Sequence, residues 1–355
     1  MVAAAAFAGE VVTGERSESA REATWAEVVA AEFDLRWIVP ETRTDPEADA
    51  DRRPVDLAAR VRELAALRFR TPQGAEDDPR TSSFADLVAA CRAFGDDADA
   101  RDAFLGSLKR GRPDVWNACG DELLQLGRDE FLRAGSWKPS KDHARDGVLH
   151  AASFRIDCEG REPWTKVGGS RNCQQAATVI RADLEALKTA ENDYATYPQN
   201  VGASYDHIWA VPGTYRRGLD PAGRTFNALR IDFRCDLPFP YSHYDCELHI
   251  LNRVGDDGLV RSDVYSTSED FYWMAGQDVF VPLVTTAGDF AGLVLVRVFG
   301  FDIRSVPDGD DDVREALRSS LGNLKLRSEK LFEESGGRPR TLRDSVPDVL
   351  LRGVK

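Results

Sequence analysis

The chain has 355 residues, 42% of them hydrophobic, and its 60 Asp and Glu against 46 Lys and Arg leave a formal net charge of −14 at pH 7. Such a length corresponds to about two domains of roughly 150 residues each, the apolar content suffices for a buried core, and the acidic excess repels phosphate backbones and anionic leaflets, which argues against stable nucleic-acid binding. No stretch of about 18 consecutive apolar residues occurs, so nothing in the sequence reads as a bilayer span.

The six cysteines, Cys91, Cys119, Cys158, Cys173, Cys235 and Cys246, are scattered along the chain. That spacing reads as reduced thiols in a cytoplasmic protein, not as a disulfide framework. Met1 to Ala8 is apolar but short and lacks a basic leader, so it reads as a frayed terminus.

The first 135 residues carry helical periodicity. Thr24-Trp25-Ala26-Glu27 has the form of a capping box, and Val28, Val29 and Phe33 follow it, which predicts a helix over 25–37 that Pro40 ends. Residues 41–53 are acidic, contain proline and have no apolar period, as a linker would. Leu57, Val61, Leu64 and Leu67 then recur three or four residues apart, giving a second helix with one packed face. Helices are predicted over 84–94 and 98–109, separated by Gly95-Asp96-Asp97, and over 113–135, where Pro113 enters and Gly135 closes. The stripe of that last helix is Trp116, Leu123, Leu124 and Phe131.

From about residue 145 the period becomes two. Strands are predicted over 148–158 and 174–182, a short helix over 183–194, and six further strands over 204–211, 225–235, 244–253, 259–267, 277–286 and 290–303. Turns such as Asp220-Pro221-Ala222-Gly223 and Gly255-Asp256-Asp257-Gly258 are short enough to require antiparallel pairing. Leu229, Ile231, Phe233 and Cys235 alternate with Arg230, Asp232 and Arg234, and Tyr244, Cys246, Leu248 and Ile250 alternate with Asp245, Glu247 and His249. Each strand thus has one buried and one wet face. A final helix follows Pro307-Asp308-Gly309, with Val313, Leu317, Leu321, Leu324 and Leu331 in one stripe that must face the sheet.

This order of elements resembles that of the helix-grip proteins. The segment Leu237-Pro238-Phe239-Pro240-Tyr241-Ser242-His243-Tyr244-Asp245 resembles the Pro-aromatic-Pro stretch followed by Arg-Asp in START (steroidogenic acute regulatory-related lipid transfer) domains. Gly258 to Ser266 resembles the strand that follows there, and Ile180 to Leu187 the strand-to-helix entry. Tyr244 stands where the family usually has Arg, so an ion pair made by that Arg does not carry over. The resemblance covers residues 113–333 and implies an α+β fold, a helix-grip (START-like) curved antiparallel sheet packed on a long C-terminal helix, preceded by an all-α N-terminal region. The implied division is a helical region over 1–110 with its acidic linker near 41–53, a START-like domain over 111–335 and a tail over 336–355.

What the resemblance implies about function is noncatalytic binding or transfer of a lipid or other apolar small molecule in an internal cavity, with transient membrane contact during exchange and no cofactor. Two alternatives stay open: a polyketide cyclase or dehydratase of the same fold, and an adaptor whose N-terminal helices recruit a partner that the sequence does not identify. The expected lining is Leu229, Ile231, Phe233, Tyr244, Cys246, Leu248 and Ile250 from the strands, with Leu317 and Leu321 from the final helix. The other filling of that interior is an ordinary solid core. Trp209 and Trp273, in or near strands, are candidates for ligand contact or a lid. Arg297, inside Leu293-Val-Leu-Val-Arg-Val-Phe299, either points inward to orient a polar group or lies on the wet face.

Metal chemistry has little support. Cys235, His243, Cys246 and His249 cluster in sequence, but Cys246 and His249 are three apart on one strand and face opposite ways. The acidic run Asp308 to Asp312 lacks the alternation of a calcium loop. Asp206 and His207 are adjacent on a strand, so one does not orient the other, and no nucleophile elbow or phosphate-binding glycine loop occurs. No catalytic residue is assigned.

Overall fold

The computed structural model describes residues 21–22, 28, 56–70, 81–95, 97–128, 147–151, 154–157, 170–192, 205–236, 243–266, 268, 271–303 and 310–337. Of the helix expected over 25–37, Val28 alone falls among them, in helical conformation, and the linker over 41–53 lies outside them.

Four helices come first: α1 (Leu57–Ala66), α2 (Phe84–Ala93), α3 (Ala98–Gly111) and α4 (Pro113–Leu126). Their starts follow from their caps. The Asp56 carboxylate accepts from Ala59 N at 3.0 Å in α1, Asp97 does the same for Ala100 at 2.9 Å in α3, and Ser83 and Asp86 form a reciprocal capping box at α2. The buried stripe of α4 is Val115, Cys119, Leu123 and Leu126: of the expected stripe Leu123 belongs to it, Trp116 and Leu124 are half-buried at its margin and Phe131 lies outside the described residues, and the helix ends at Leu126, short of the expected 135. Two short strands, β2 (Arg68–Arg70) and β3 (Thr81–Ser83), pair with each other between α1 and α2; β1 (Arg21–Glu22) precedes them.

The rest builds one large antiparallel sheet. Its strands are β4 (Val148–His150), β5 (Phe154–Asp157), β6 (Ser170–Ile180), β7 (Tyr205–Ala210), β8 (Arg216–Leu219), β9 (Thr225–Asp236), β10 (His243–Val254), β11 (Val260–Ser266), β12 (Phe271–Val284) and β13 (Phe290–Ile303). Helix α5 (Leu184–Asn192) follows β6, and α6 (Asp310–Glu334) follows β13. The order across the sheet is β1-β8-β9-β10-β11-β12-β13-β6-β4, with β5 beside β6 and β7 beside β9. The last strand thus returns to the first long one, and among the described residues only the β1–β8 pair is parallel.

Three hairpin turns, at Asp220–Arg224, Gly255–Leu259 and Thr285–Asp289, share one geometry. In each, the first residue donates its N–H to the fifth residue's carbonyl at 2.8 to 2.9 Å, and the fourth donates back to the first at 2.9 to 3.0 Å. The fourth residue is glycine every time, at φ of 77°, 76° and 87°, a left-handed conformation that costs a side-chain-bearing residue free energy. Strand β8 was not expected, because Arg216-Arg217-Gly218-Leu219 has no apolar alternation.

The sheet is covered on both faces. On the outer face, Val279, Val281, Leu283, Val294, Val296, Ala177 and Val179 share a core with Leu57, Val61, Leu64, Val88 and Leu123 of α1, α2 and α4. On the inner face, Phe280, Leu293, Leu295, Ala176 and Ile180 pack against Leu184 and Leu187 of α5 and Leu317, Leu321 and Leu324 of α6. The helical layer is also pinned at the hairpin turns. Arg62 of α1 pairs with Asp257 at 2.6 Å, and Asp86 of α2 accepts from Thr286 N and Oγ1 at 3.2 and 3.0 Å. The Arg261 guanidinium holds the Asp257 carboxyl far below the usual carboxylate range.

Leu64 is fully enclosed within this shared core. Leu64→Ala is expected to cost about 2–5 kcal/mol, and urea unfolding followed by both tryptophan fluorescence and far-UV circular dichroism should show one transition at a lower midpoint. Two separated transitions would mean that the helical layer and the sheet unfold independently.

Candidate functional site

Pairing register and alternation decide which side chains reach the inner face. Leu229, Ile231 and Phe233 of β9 stand opposite Ile250, Leu248 and Cys246 of β10. With Ile208, Tyr215 and Met274 they form an apolar cluster, against which Phe299 and Phe301 of β13 pack. Cys246 Sγ lies 3.3 Å from Ser266 Oγ and 3.8 Å from Met274 Sδ. Leu248, Ile250, Phe299 and Phe301 are only partly covered by protein. Gly276, on the same face of β12, has Phe299 beside it: a Cβ there would come within 2.8 Å of the ring, so the absent side chain makes room for the aromatic.

Next to this apolar area lies a polar cluster. Asp278 and Arg297 are direct partners in the β12–β13 ladder and form a bidentate pair, Nε and Nη2 donating at 2.7 and 2.6 Å. Arg297 Nη1 also donates to Ser320 Oγ of α6 at 2.8 Å, so this pair ties the sheet to the closing helix. From α5, Lys188 Nζ donates to Glu191 at 2.6 Å and to Asn252 Oδ1 at 2.8 Å, and lies 4.6 Å from the centre of the Phe280 ring. Asn252 is held in turn by Ser262 and Asn227 at 2.7 and 2.8 Å. Burial, reinforced by the nearby Asp278 charge, holds the Glu191 carboxyl above its ordinary value in spite of Lys188 and Arg297. The polar cluster is therefore a set of hydrogen-bonded charges beneath α5 and α6, with one carboxyl biased toward its neutral form.

The residues expected from the sequence separate into groups. Leu229, Ile231, Phe233, Cys246, Leu248 and Ile250 share the inner apolar cluster, and Arg297 is on the same face. Leu317 and Leu321 pack in the fully buried core with Phe280 and Leu295. Trp209 is 46% exposed and alternates with the buried Ile208. Trp273 is fully enclosed, on the face opposite Met274 that it shares with Ala275 and Val279. The side chains of Tyr244, Cys235, Asp206 and His207 lie outside the described residues. Cys246 and His249 do face opposite ways, but His249 is not on a wet surface: it stacks on Tyr265 at 4.5 Å, with Nδ1 3.1 Å from the phenol oxygen. Asp245, which follows Tyr244, pairs across the ladder with Arg234 at 2.7 and 3.1 Å.

Asp278, Lys188, Glu191, Asn252 and Ser320 were not expected. Counting outward from the Thr285–Asp289 turn places Asp278 opposite Val296, and it is the register shift between Leu283 and Val284 that brings it opposite Arg297. The others come from α5, α6 and β10, and no local pattern announces their convergence.

No family model matches the sequence, and no curated protein does. Among solved structures, the chain is similar to a STAR-related lipid transfer protein fragment from Xanthomonas axonopodis at 14% identity and TM-score 0.36, over 54% of this chain and 96% of that one. It is similar to human STARD10 at 11% identity and TM-score 0.34, over 61% and 89%. A third similar structure is the di-domain ARO/CYC StfQ from the steffimycin biosynthetic pathway, at 15% identity and TM-score 0.29, over 47% and 52%. The fold is an α+β helix grip, an antiparallel sheet packed on a long C-terminal helix. It follows from the strand order and the closing helix, and the likenesses say nothing about ligand or reaction. Among the described residues no helix is long and apolar enough to cross a membrane.

Arg297→Met should leave the Asp278 carboxylate enclosed without its cation, a loss of about 3–5 kcal/mol. The double variant Arg297→Met/Asp278→Leu is expected to recover most of it, read as urea midpoints. Equal midpoints for the single and double variants would show that the pair is not a coupled unit.

Proposed function

We propose that the chain binds one amphipathic small molecule, a lipid or a comparable apolar compound with a polar end, between the inner face of the sheet and α6. The observation that carries this reading is the partial accessibility of Leu248, Ile250, Phe299 and Phe301 on the face that α5 and α6 cover. Apolar side chains on an inward face that protein atoms do not fully cover favour a guest, at about 25 cal/mol per Å² of apolar surface removed from water. Leu229, Ile231 and Phe233 would floor the apolar end. The polar end would meet the cluster of Arg297, Asp278, Ser320 and Glu191, whose hydrogen bonds orient it without covalent chemistry. Trp209 and Trp273 fall outside the lining in this reading, while Leu317 and Leu321 support it from the core. The N-terminal helices serve as the layer that backs the sheet, and exchange would require α6 to move.

Native mass spectrometry after gentle purification is the test. A single adduct of a few hundred daltons, or one acquired from a mixture of fatty acids, phospholipids and sterols, is expected. Ile231→Asp, which places a charge in the apolar floor, should abolish it. A chain that stays ligand-free throughout would remove the basis of the proposal.

One observation favours a second reading, an enzyme of the cyclase or dehydratase kind: Glu191, held above its ordinary value beside Asp278 and Arg297, could donate a proton to a bound carbonyl or hydroxyl. Its titration has a distinct signature. A carboxyl raised on folding contributes stability fully present below its unfolded value near ~4.3 and lost as pH rises through the folded value. Wild-type stability is therefore expected to decline with rising pH over that window relative to Glu191→Gln, measured by urea unfolding from pH 4 upward. Parallel curves for the two proteins would show that Glu191 is not raised.

A further inference from the structure

We infer that the N-terminal helical layer and the closing helix α6 are coupled through one backbone carbonyl, that of Val179 near the end of β6. Ala151 N donates to Gln175 O at 3.0 Å across the β4–β6 edge, so the carbonyls of residues 175, 177 and 179 all point to that side. Strand β4 begins at Val148, opposite Thr178. The ladder thus stops one step short of Val179, in a place where an enclosed carbonyl needs another donor.

Two cations from opposite faces of the sheet supply it. Lys325 Nζ of α6 donates at 2.5 Å and Arg92 Nη2 of α2 at 3.2 Å. Lys325 is completely enclosed and Arg92 is 8% exposed. Lys325 also donates to Glu329 at 3.0 Å, and Glu329 accepts from Arg181 N at 2.7 Å. Two residues on, Asp183 caps α5 by accepting from Ala186 N at 2.9 Å. Elements from both layers therefore converge on residues 179–183.

An enclosed ammonium tolerates little displacement of its acceptors, because bulk water does not reach it to replace them. A shift of the β6 terminus when Arg92 lets go would be felt by Lys325, and through it by α6. The N-terminal layer would then set how firmly the closing helix is held. The consequence for ligand release rests on the function proposed above; the coupling itself does not.

Hydrogen–deuterium exchange of the full chain without ligand separates the two claims. Lys325→Met should speed exchange in α6 directly. Arg92→Met is expected to speed it by about threefold or more, compared with Val88→Ala, which loosens the same helical layer without touching the carbonyl, at denaturant concentrations that equalise global stability. Unchanged α6 exchange in Arg92→Met, or the same acceleration in Val88→Ala, would overturn the coupling. Should Arg92→Met fail to fold, Arg92→Lys, which reaches less far and offers a single donor group, is read by the same comparison.

Discussion

The constraint on which the rest depends is that the central strands are covered on both faces. β12, β13 and β6 carry Val279-Phe280-Val281, Leu293-Val294-Leu295-Val296 and Ala176-Ala177-Thr178-Val179-Ile180, runs in which successive residues belong alternately to the outer and inner cores. A strand in that position cannot keep a wet face. Every charge it bears has to find a partner at the register position where it stands, or the layer above it cannot close.

This explains why the polar groups are organised as they are. Asp278 and Arg297 would each be intolerable alone beneath α6; as ladder partners they satisfy each other, and Arg297 Nη1 donates to Ser320. On the outer face Asp263, with no exposure, accepts from Arg253 at 2.7 Å and Gln277 at 2.6 Å. The apolar end of the inner face is different, since its aromatic and aliphatic side chains remain partly open. Around Leu248, Ile250, Phe299 and Phe301, which stay partly open, Leu229, Ile231, Phe233 and Cys246 are buried.

Much of this was legible in the sequence, because periodicity reports which residues share a face. The alternation of Leu229, Ile231 and Phe233 with Arg230, Asp232 and Arg234 carries through into β9 as drawn from the residues alone, and the switch from helical to strand period near residue 145 marks the real transition. Long-range cover was not legible. His249 and Asp263 occupy positions that look wet along their own strands, yet they are enclosed by groups distant in sequence or across the sheet. Strand β12 begins at Phe271, six residues before the expected start, because the Phe271-Tyr272-Trp273 run has no alternation to reveal it. The polar site was half visible: Arg297 drew notice as a charge among aliphatics, while its partners on α5 and α6 depend on how helices dock.

The three matching hairpin turns have a consequence for how this protein can vary. Surface loops ordinarily accept insertions at small thermodynamic cost. Here two of the three carry anchors for another layer: Asp257 receives Arg62, and Thr286 donates to Asp86. An added residue in either would displace an anchor by the length of a peptide unit, so loop length itself becomes a conserved quantity at that rim of the molecule, and tolerance to insertion is expected to shift to the Asp220–Arg224 turn.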